Sequence, residues 1–270
     1  YGLKLSGDLS GINFTNNGLI AVTGNNLTCG ISNEGTIGDI TNTGLITGTS
    51  TGNSYGNEGN GIYNNGTMGN ITNRGLIIGT NTGNQYGHGI YNDYESNKIG
   101  DITNTGLIIG TGPTYRGYGI YNNYSKTMGN ITNTGLIIGI GNIDGAGIYN
   151  AGTMGIVMNT GLIAGIGKVN SSGIYLNAGS TTTTCNEGVI IAQGKSSTYG
   201  IYNNGHLTEE IVNNGLISLT NTEESNAPGS NSYGIRALDS GITKTIQNNG
   251  LVLGRSINGE NNCGIYNQGD

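Results

Sequence analysis

Residues 119–139 read Gly-Ile-Tyr-Asn-Asn-Tyr-Ser-Lys-Thr-Met-Gly-Asn-Ile-Thr-Asn-Thr-Gly-Leu-Ile-Ile-Gly, and the parts of this stretch recur along the whole chain. The pentad Asn-x-Gly-Leu-Ile begins at Asn16, Asn42, Asn73, Asn104, Asn133, Asn159, Asn186, Asn213 and Asn248. Asn and Gly stand in every copy, and only Val189 and Val252 alter the apolar pair. The mean spacing of about 29 residues is that of a stacked repeat, in which each coil buries its apolar residues against the next. The second motif, Gly-Ile-Tyr-Asn, starts at Gly30, Gly61, Gly89, Gly119, Gly147, Gly173, Gly200, Gly234 and Gly264. Ile always follows, and Tyr follows except at Ser32 and Arg236. Between the two lies a third short piece, as in Ile40-Thr41-Asn42 and Ile102-Thr103-Asn104.

Each unit thus offers three strand-like pieces separated by Gly and Asn, which tolerate sharp corners. Pieces this short bury a face only by stacking on the same piece one coil later. The sequence therefore predicts an all-β fold: a single-stranded parallel β-helix of about nine coils, right-handed by the crossover rule. Helix is disfavoured because the apolar positions lack an i, i+3, i+4 spacing. The reading is one continuous segment over 1–270. Tyr1-Gly2-Leu3 opens within one repeat and Gly264-Ile265-Tyr266-Asn267 closes within another, which suggests a piece of a longer repetitive protein.

Strand alternation assigns the faces. Ile62, Ile90, Ile120, Ile148 and Ile201 point inward. Tyr63, Tyr91, Tyr121, Tyr149, Tyr175 and Tyr202 then form an outward column, the best ligand-binding candidate because aromatic faces stack on sugars or partner proteins. The plainer reading is that each ring covers its neighbours. Asn42, Asn73, Asn104, Asn133, Asn159, Asn186 and Asn213 form an inner structural ladder, each amide bonding to the next coil. Ile46, Ile77, Ile108, Ile137 and Ile163 stack inside. Simple alternation puts the Leu before each outside, whereas a bend at the preceding Gly would turn both residues inward; the bend is the expectation. Insertions gather on one edge of the coil, notably at 47–60 and 218–232, with Pro113 and Pro228 on the same edge. Such edges are where solenoids bind partners.

The composition narrows the function. Ten Lys and Arg against 16 Asp and Glu give a net charge of −6. There is no basic cluster to hold nucleic acid, and no apolar run reaches the ~18 residues of a membrane helix. Cys29 and Cys263 are eight coils apart at ~4.8 Å each, beyond the ~7 Å reach of a disulfide; with Cys185 they read as small core or corner residues. Asp39 and Asp101 hold equivalent positions with Asn70 between them, about two coil spacings or ~10 Å apart, an alternation that avoids stacking like charges. Glu209-Glu210 and Glu223-Glu224 read as solvated loop charges. His88 and His206 lie in different phases of the repeat and form no triad. The Gly-rich stretch 52–61 lacks the Lys-Ser/Thr ending of a phosphate loop. The Thr41/Thr43 and Thr103/Thr105 pairs suggest an ice-binding grid, which Arg74, Val157 and Met158 interrupt. No catalytic residue, metal ligand or cofactor is assigned, and the chain is read as a non-enzyme.

Tandem copies of Gly-Ile-Tyr-Asn with Ile-x-Asn-x-Gly-Leu-Ile resemble the passenger regions of bacterial autotransporters, the Gly/Asn-rich β-helical adhesins of type V secretion. The resemblance spans 1–270. It implies an exported stalk on the bacterial outer surface, extracellular, that attaches to a host-cell or bacterial surface protein or glycan. A purely structural spacer or filament, self-associating through coil ends, is the second expectation, and a polysaccharide-acting enzyme the third.

Overall fold

The structure, a computed structural model, describes residues 1–93, 98–222, 231–238, 243–256 and 261–268. Glu223, Glu224 and Pro228 of the 218–232 insertion and the His206 side chain lie outside what is described. Among the described residues every regular element is a β-strand. The Leu-Ile strands, from Leu19–Gly24 to Leu251–Ser256, form one parallel nine-stranded sheet in unbroken chain order. The Tyr strands pair the same way, Ile90 lying beside Ile62 and Ile120. So do the Thr strands, where Asn73 lies between Asn42 and Asn104. Three parallel sheets thus wrap one core, and the chain is a β-solenoid as its repeats predict. A fourth piece was not anticipated: a two-residue strand such as Thr67–Met68 or Thr127–Met128, whose second residue is buried.

The core is a set of Ile columns with no solvent exposure, including Ile40, Ile71, Ile102 and Ile131 from the Thr strands and Ile46, Ile77, Ile108 and Ile137 from the Leu-Ile strands. Each buried Ile contributes roughly 1.5–3 kcal/mol relative to exposure.

The Leu column corrects the sequence reading. Leu76 and Leu136 are 41% exposed while the adjacent Ile77 and Ile137 are fully buried. Simple alternation holds from the Leu onward, and the Gly corner does not turn both residues inward. With Ile78, Ile109 and Ile138 two residues on, these Leu side chains give the Leu-Ile sheet an apolar outer face.

Two amide ladders run along the coil stack, one through all nine coils and one through the first five. Asn16 Nδ2 donates to Asn42 Oδ1 at 2.8 Å, and the link repeats through Asn73, Asn104, Asn133, Asn159, Asn186, Asn213 and Asn248. The expected ladder therefore exists and extends one coil further each way. The second, built from the Asn of Gly-Ile-Tyr-Asn, links Asn33, Asn64, Asn92, Asn122 and Asn150 with the same 2.8 Å spacing. Asn150 then donates to Thr181 Oγ1. These buried amides are satisfied along the coil stack, which is what an interior polar group requires.

Where the Leu-Ile strand meets the Tyr strand the two backbones touch. Gly139 occupies an inner position there, and a β-carbon on it would collide with the carbonyl of Ala146 and lie 2.7 Å from Gly117 O. Glycine is thus imposed by close backbone approach, and this wedge sets how near the aromatic edge stands to the loops.

Candidate functional site: the aromatic edge

The Tyr strand presents two outward columns. In Gly87–Asn92, Ile90 and Asn92 point in and Tyr91 points out. Strict alternation would also turn Gly89 outward. Instead its missing β-carbon faces the core, 2.6 Å from Ile108 Cγ2. The alternation slips at this glycine, so His88 emerges on the same outer face as Tyr91, with ring centroids 4.9 Å apart. Every coil repeats the slip. The residue before the motif glycine therefore forms a second column, in register: Cys29, Asn60, His88, Tyr118, Ala146, Ser172, Tyr199, Tyr233 and Cys263.

The first column does lie outside the sheet, but its rings are mostly covered. Tyr63 and Tyr91 are 6% exposed, Tyr202 is 9% exposed, and Tyr121, Tyr149 and Tyr175 are half-buried. Their faces pack on each other: Tyr91 on Tyr121 at 4.9 Å and 5°, Tyr149 on Tyr175 at 4.9 Å and 3°. Pairs of this kind contribute ~0.5–1.5 kcal/mol beyond their buried area. For most of its length the column is thus a stiffening seam rather than an open platform. Arg236, one of the two departures from Tyr, keeps the seam intact. Its guanidinium lies 5.3 Å from the Tyr202 ring and 4.7 Å from that of Tyr233, and it donates to Tyr199 OH.

Burial holds the phenols of Tyr63, Tyr91 and Tyr118 above their ordinary range. It also raises Glu58 to about 7, with help from the nearby Asp93 carboxylate. His88 is fully buried among Tyr86, Tyr91, Tyr118 and Tyr121, with neither ring nitrogen hydrogen-bonded. Desolvation lowers its pKa to about 3. A histidine whose folded pKa lies below its unfolded value of about 6.5 destabilises the fold as pH falls from 6.5 towards 3, because the unfolded chain binds the proton first. Between pH 7 and pH 4 the wild-type rod is expected to lose about 3 kcal/mol through this residue, and His88→Phe to abolish that loss, in urea melts across the range. Glu58, raised rather than lowered, acts in the opposite sense between about 4.5 and 7 and remains in both proteins. Comparison of the two proteins isolates the histidine.

The acidic pair behaves as a structural device. Asp39 Oδ1 accepts from the backbone N–H of Asn70 at 2.7 Å, Asn70 Oδ1 accepts from Asp101 N–H, and Asp101 Oδ1 accepts from Asn130 N–H. Each side chain caps a corner amide one coil later, a task for which Asp and Asn are equivalent acceptors. Asp39→Asn is therefore expected to change stability by under ~0.5 kcal/mol, and Asp39→Ala to cost about 1 kcal/mol, in denaturant melts. Glu209 is paired with Lys244 from the following coil at 2.6 Å. Cys29 is buried with its thiol pushed up to about 12, and all three cysteines are free.

Among the described residues the edge opens between Tyr118 and Tyr199. In the second column Tyr118 is followed by Ala146 and Ser172 before Tyr199 resumes it. The two small residues leave a notch of about 320 Å³ flanked by Tyr149 and Tyr175, with Arg116, Asp144 and Asn170 at its rim. Arg116 Nε is 2.6 Å from one Asp144 carboxylate oxygen, and Asn170 Nδ2 donates to the other at 2.8 Å. The loops leave it uncovered. Residues 51–58 and 82–86 separate the Leu-Ile and Tyr strands in earlier coils, and Tyr86 and Tyr115 pack together over that part of the edge. Beside the notch the connections are two residues long, between Gly141 and Asp144 and between Gly167 and Asn170. The opening thus lies where the insertions are shortest, opposite to the sequence expectation for this edge. Residue variety at the column position gave no repeat signal from which to find it. Compared with family models, with curated proteins and with solved structures, the chain matches none of them.

Proposed function

We propose that the chain is an adhesive stalk: a stiff β-solenoid that carries a binding edge away from a bacterial surface. The observation that supports this most is the contrast between interior and edge. The inner Ile and Asn columns scarcely change from coil to coil. The outward column beside them holds Cys, Asn, His, Tyr, Ala and Ser in turn. A constant scaffold bearing a varied surface is how solenoids present binding sites. Nine stacked strands give a rod of about 40 Å. Asp39 and Asp101 cap corner amides one coil later, and His88 packs among the rings of the seam. The test is adhesion of beads coated with the intact chain to host and bacterial cells. Saturable attachment, competed by soluble chain, is expected; beads that stay inert on every surface would remove the reading.

A second reading, a spacer or laterally packed filament, draws on the apolar outer face of the Leu-Ile sheet. A monomer at all concentrations in sedimentation would set the filament aside, and saturable bead adhesion would set the spacer aside.

A further inference from the structure

We infer that the notch between Tyr118 and Tyr199 is a subsite for one unit of a neutral carbohydrate; this rests on the adhesive reading and gives it a ligand class. Three features converge. The first is shape. The two walls are three coils apart, about 14 Å at the strand spacing, and the floor is Ala146 and Ser172. The cavity of about 320 Å³ falls at the lower end of the ~300–1,000 Å³ typical of ligand clefts.

The second is surface chemistry. Tyr149 and Tyr175, half-buried and stacked at 4.9 Å, line the notch with Tyr118 and Tyr199. Their faces are occupied, Tyr149 lying between Tyr118 and Tyr175 and Tyr199 between Tyr202 and Tyr233, so the rings offer the notch their rims and hydroxyl groups. The rim supplies what the sugar's equatorial hydroxyls need. Asp144 accepts hydrogen bonds, and Asn170 both donates and accepts. Arg116 and Asn170 each hold one Asp144 oxygen, so the rim is oriented before any ligand arrives.

The third is charge. The Arg116 cation is already paired with Asp144 at 2.6 Å, so no free positive charge is offered to a sulfate, phosphate or carboxylate. The chain's net charge of −6 opposes polyanions further. An aromatic peptide side chain would find no free ring face and would leave the polar rim without partners. A neutral sugar's hydroxyls meet the polar rim without needing a ring face.

Ala146→Tyr tests the assignment. Tyr occupies the same register position at Tyr118, Tyr199 and Tyr233, so the substitution continues a column the fold already accommodates. The intact chain is screened on a glycan array and then titrated calorimetrically with cellobiose, maltose and mannobiose, with N-acetyltyrosinamide and a sulfated disaccharide as comparators. The wild type is expected to bind at least one neutral disaccharide in preference to both comparators. Ala146→Tyr should weaken that binding at least tenfold with an unchanged melting temperature, and Asp144→Asn should weaken it severalfold. If Ala146→Tyr does not fold, Ser172→Tyr closes the notch from the other side, and Asp144→Asn reads the rim without touching the floor. Binding unaltered by these changes, binding confined to a comparator, or no binding of any neutral sugar at ~10 mM overturns the inference. Bead adhesion measured in parallel separates the two readings. Adhesion that survives Ala146→Tyr keeps the stalk an adhesin and discards the notch; sugar binding by a chain that adheres to nothing does the reverse.

Discussion

Gly139→Ala is expected to unfold the middle of the rod, at a cost of about 4 kcal/mol or more. The added methyl group would strike the Ala146 carbonyl, which belongs to the backbone and has no rotamer through which to escape. That carbonyl is tied into a strand paired on both sides, to Arg116–Asn122 and to Asn170–Asn186. Relief would require the Leu-Ile and Tyr sheets to part across several coils. Later coils indicate what parting involves. Ala192 and Leu219 hold the same register position as Gly165, and both are buried. There the facing strand carries Ser171 and Thr198 in register with Gly145. The wedge is open in that half and closed around Gly139. A single alanine in the closed half meets no such accommodation. In a solenoid, stability is a sum over neighbouring units, so a central break divides the cooperative unit. Urea melts should show both a lower midpoint and a smaller slope, since less surface is exposed in each step. A wild-type melt from Gly139→Ala would show that the sheets separate freely.

Asn104→Ala is expected to cost about 3–5 kcal/mol, by summing several buried polar groups at ~1–3 kcal/mol each. Asn73 Nδ2 loses its 2.8 Å acceptor and Asn133 Oδ1 its 2.8 Å donor. The carbonyl of Leu136, 3.0 Å from Asn104 Nδ2, loses that bond too. All this happens at a site with no solvent exposure, where water cannot replace the partners. Asn104→Asp makes a sharper test. It keeps the acceptor for Asn73 but sets a second oxygen against Asn133 Oδ1. The carboxylate must either lie buried and charged or take up a proton and donate as the amide did. Relative to the wild type its stability should therefore rise as pH falls from 7 to 4.5, whereas Asn104→Ala should show no such recovery. Thr103→Val, one residue away on the outer face, should be close to neutral.

The fold was legible because identical residues at identical phase are themselves the record of stacking. Ile71 beside Ile40 and Asn73 beside Asn42 could be read from spacing alone. The second amide ladder was within reach as well, since Asn64, Asn92 and Asn122 close successive Gly-Ile-Tyr-Asn motifs and alternation from Ile62, Ile90 and Ile120 places them inward. The Leu column was misjudged because its chemistry suggests a core residue. The sheet instead leaves it on the outer face, where exposed apolar side chains are ordinary. The aromatic notch was beyond reach for a different reason. It depends on a slip in alternation at each motif glycine, a backbone event that no side-chain pattern announces. It also depends on Ala146 and Ser172, which are informative only once Tyr118 and Tyr199 are known to stand above and below them.

The direction of the amide ladders has an electrical consequence. In each link the donor belongs to the earlier coil and the acceptor to the later one, from Asn16 to Asn248 in one ladder and from Asn33 to Asn150 in the other. Backbone dipoles in sheets largely cancel. These side-chain dipoles do not: they add head to tail, each polarising the next, with the positive pole directed towards later coils. The solenoid is therefore a permanent electret in miniature, and two such molecules side by side attract when antiparallel and repel when parallel.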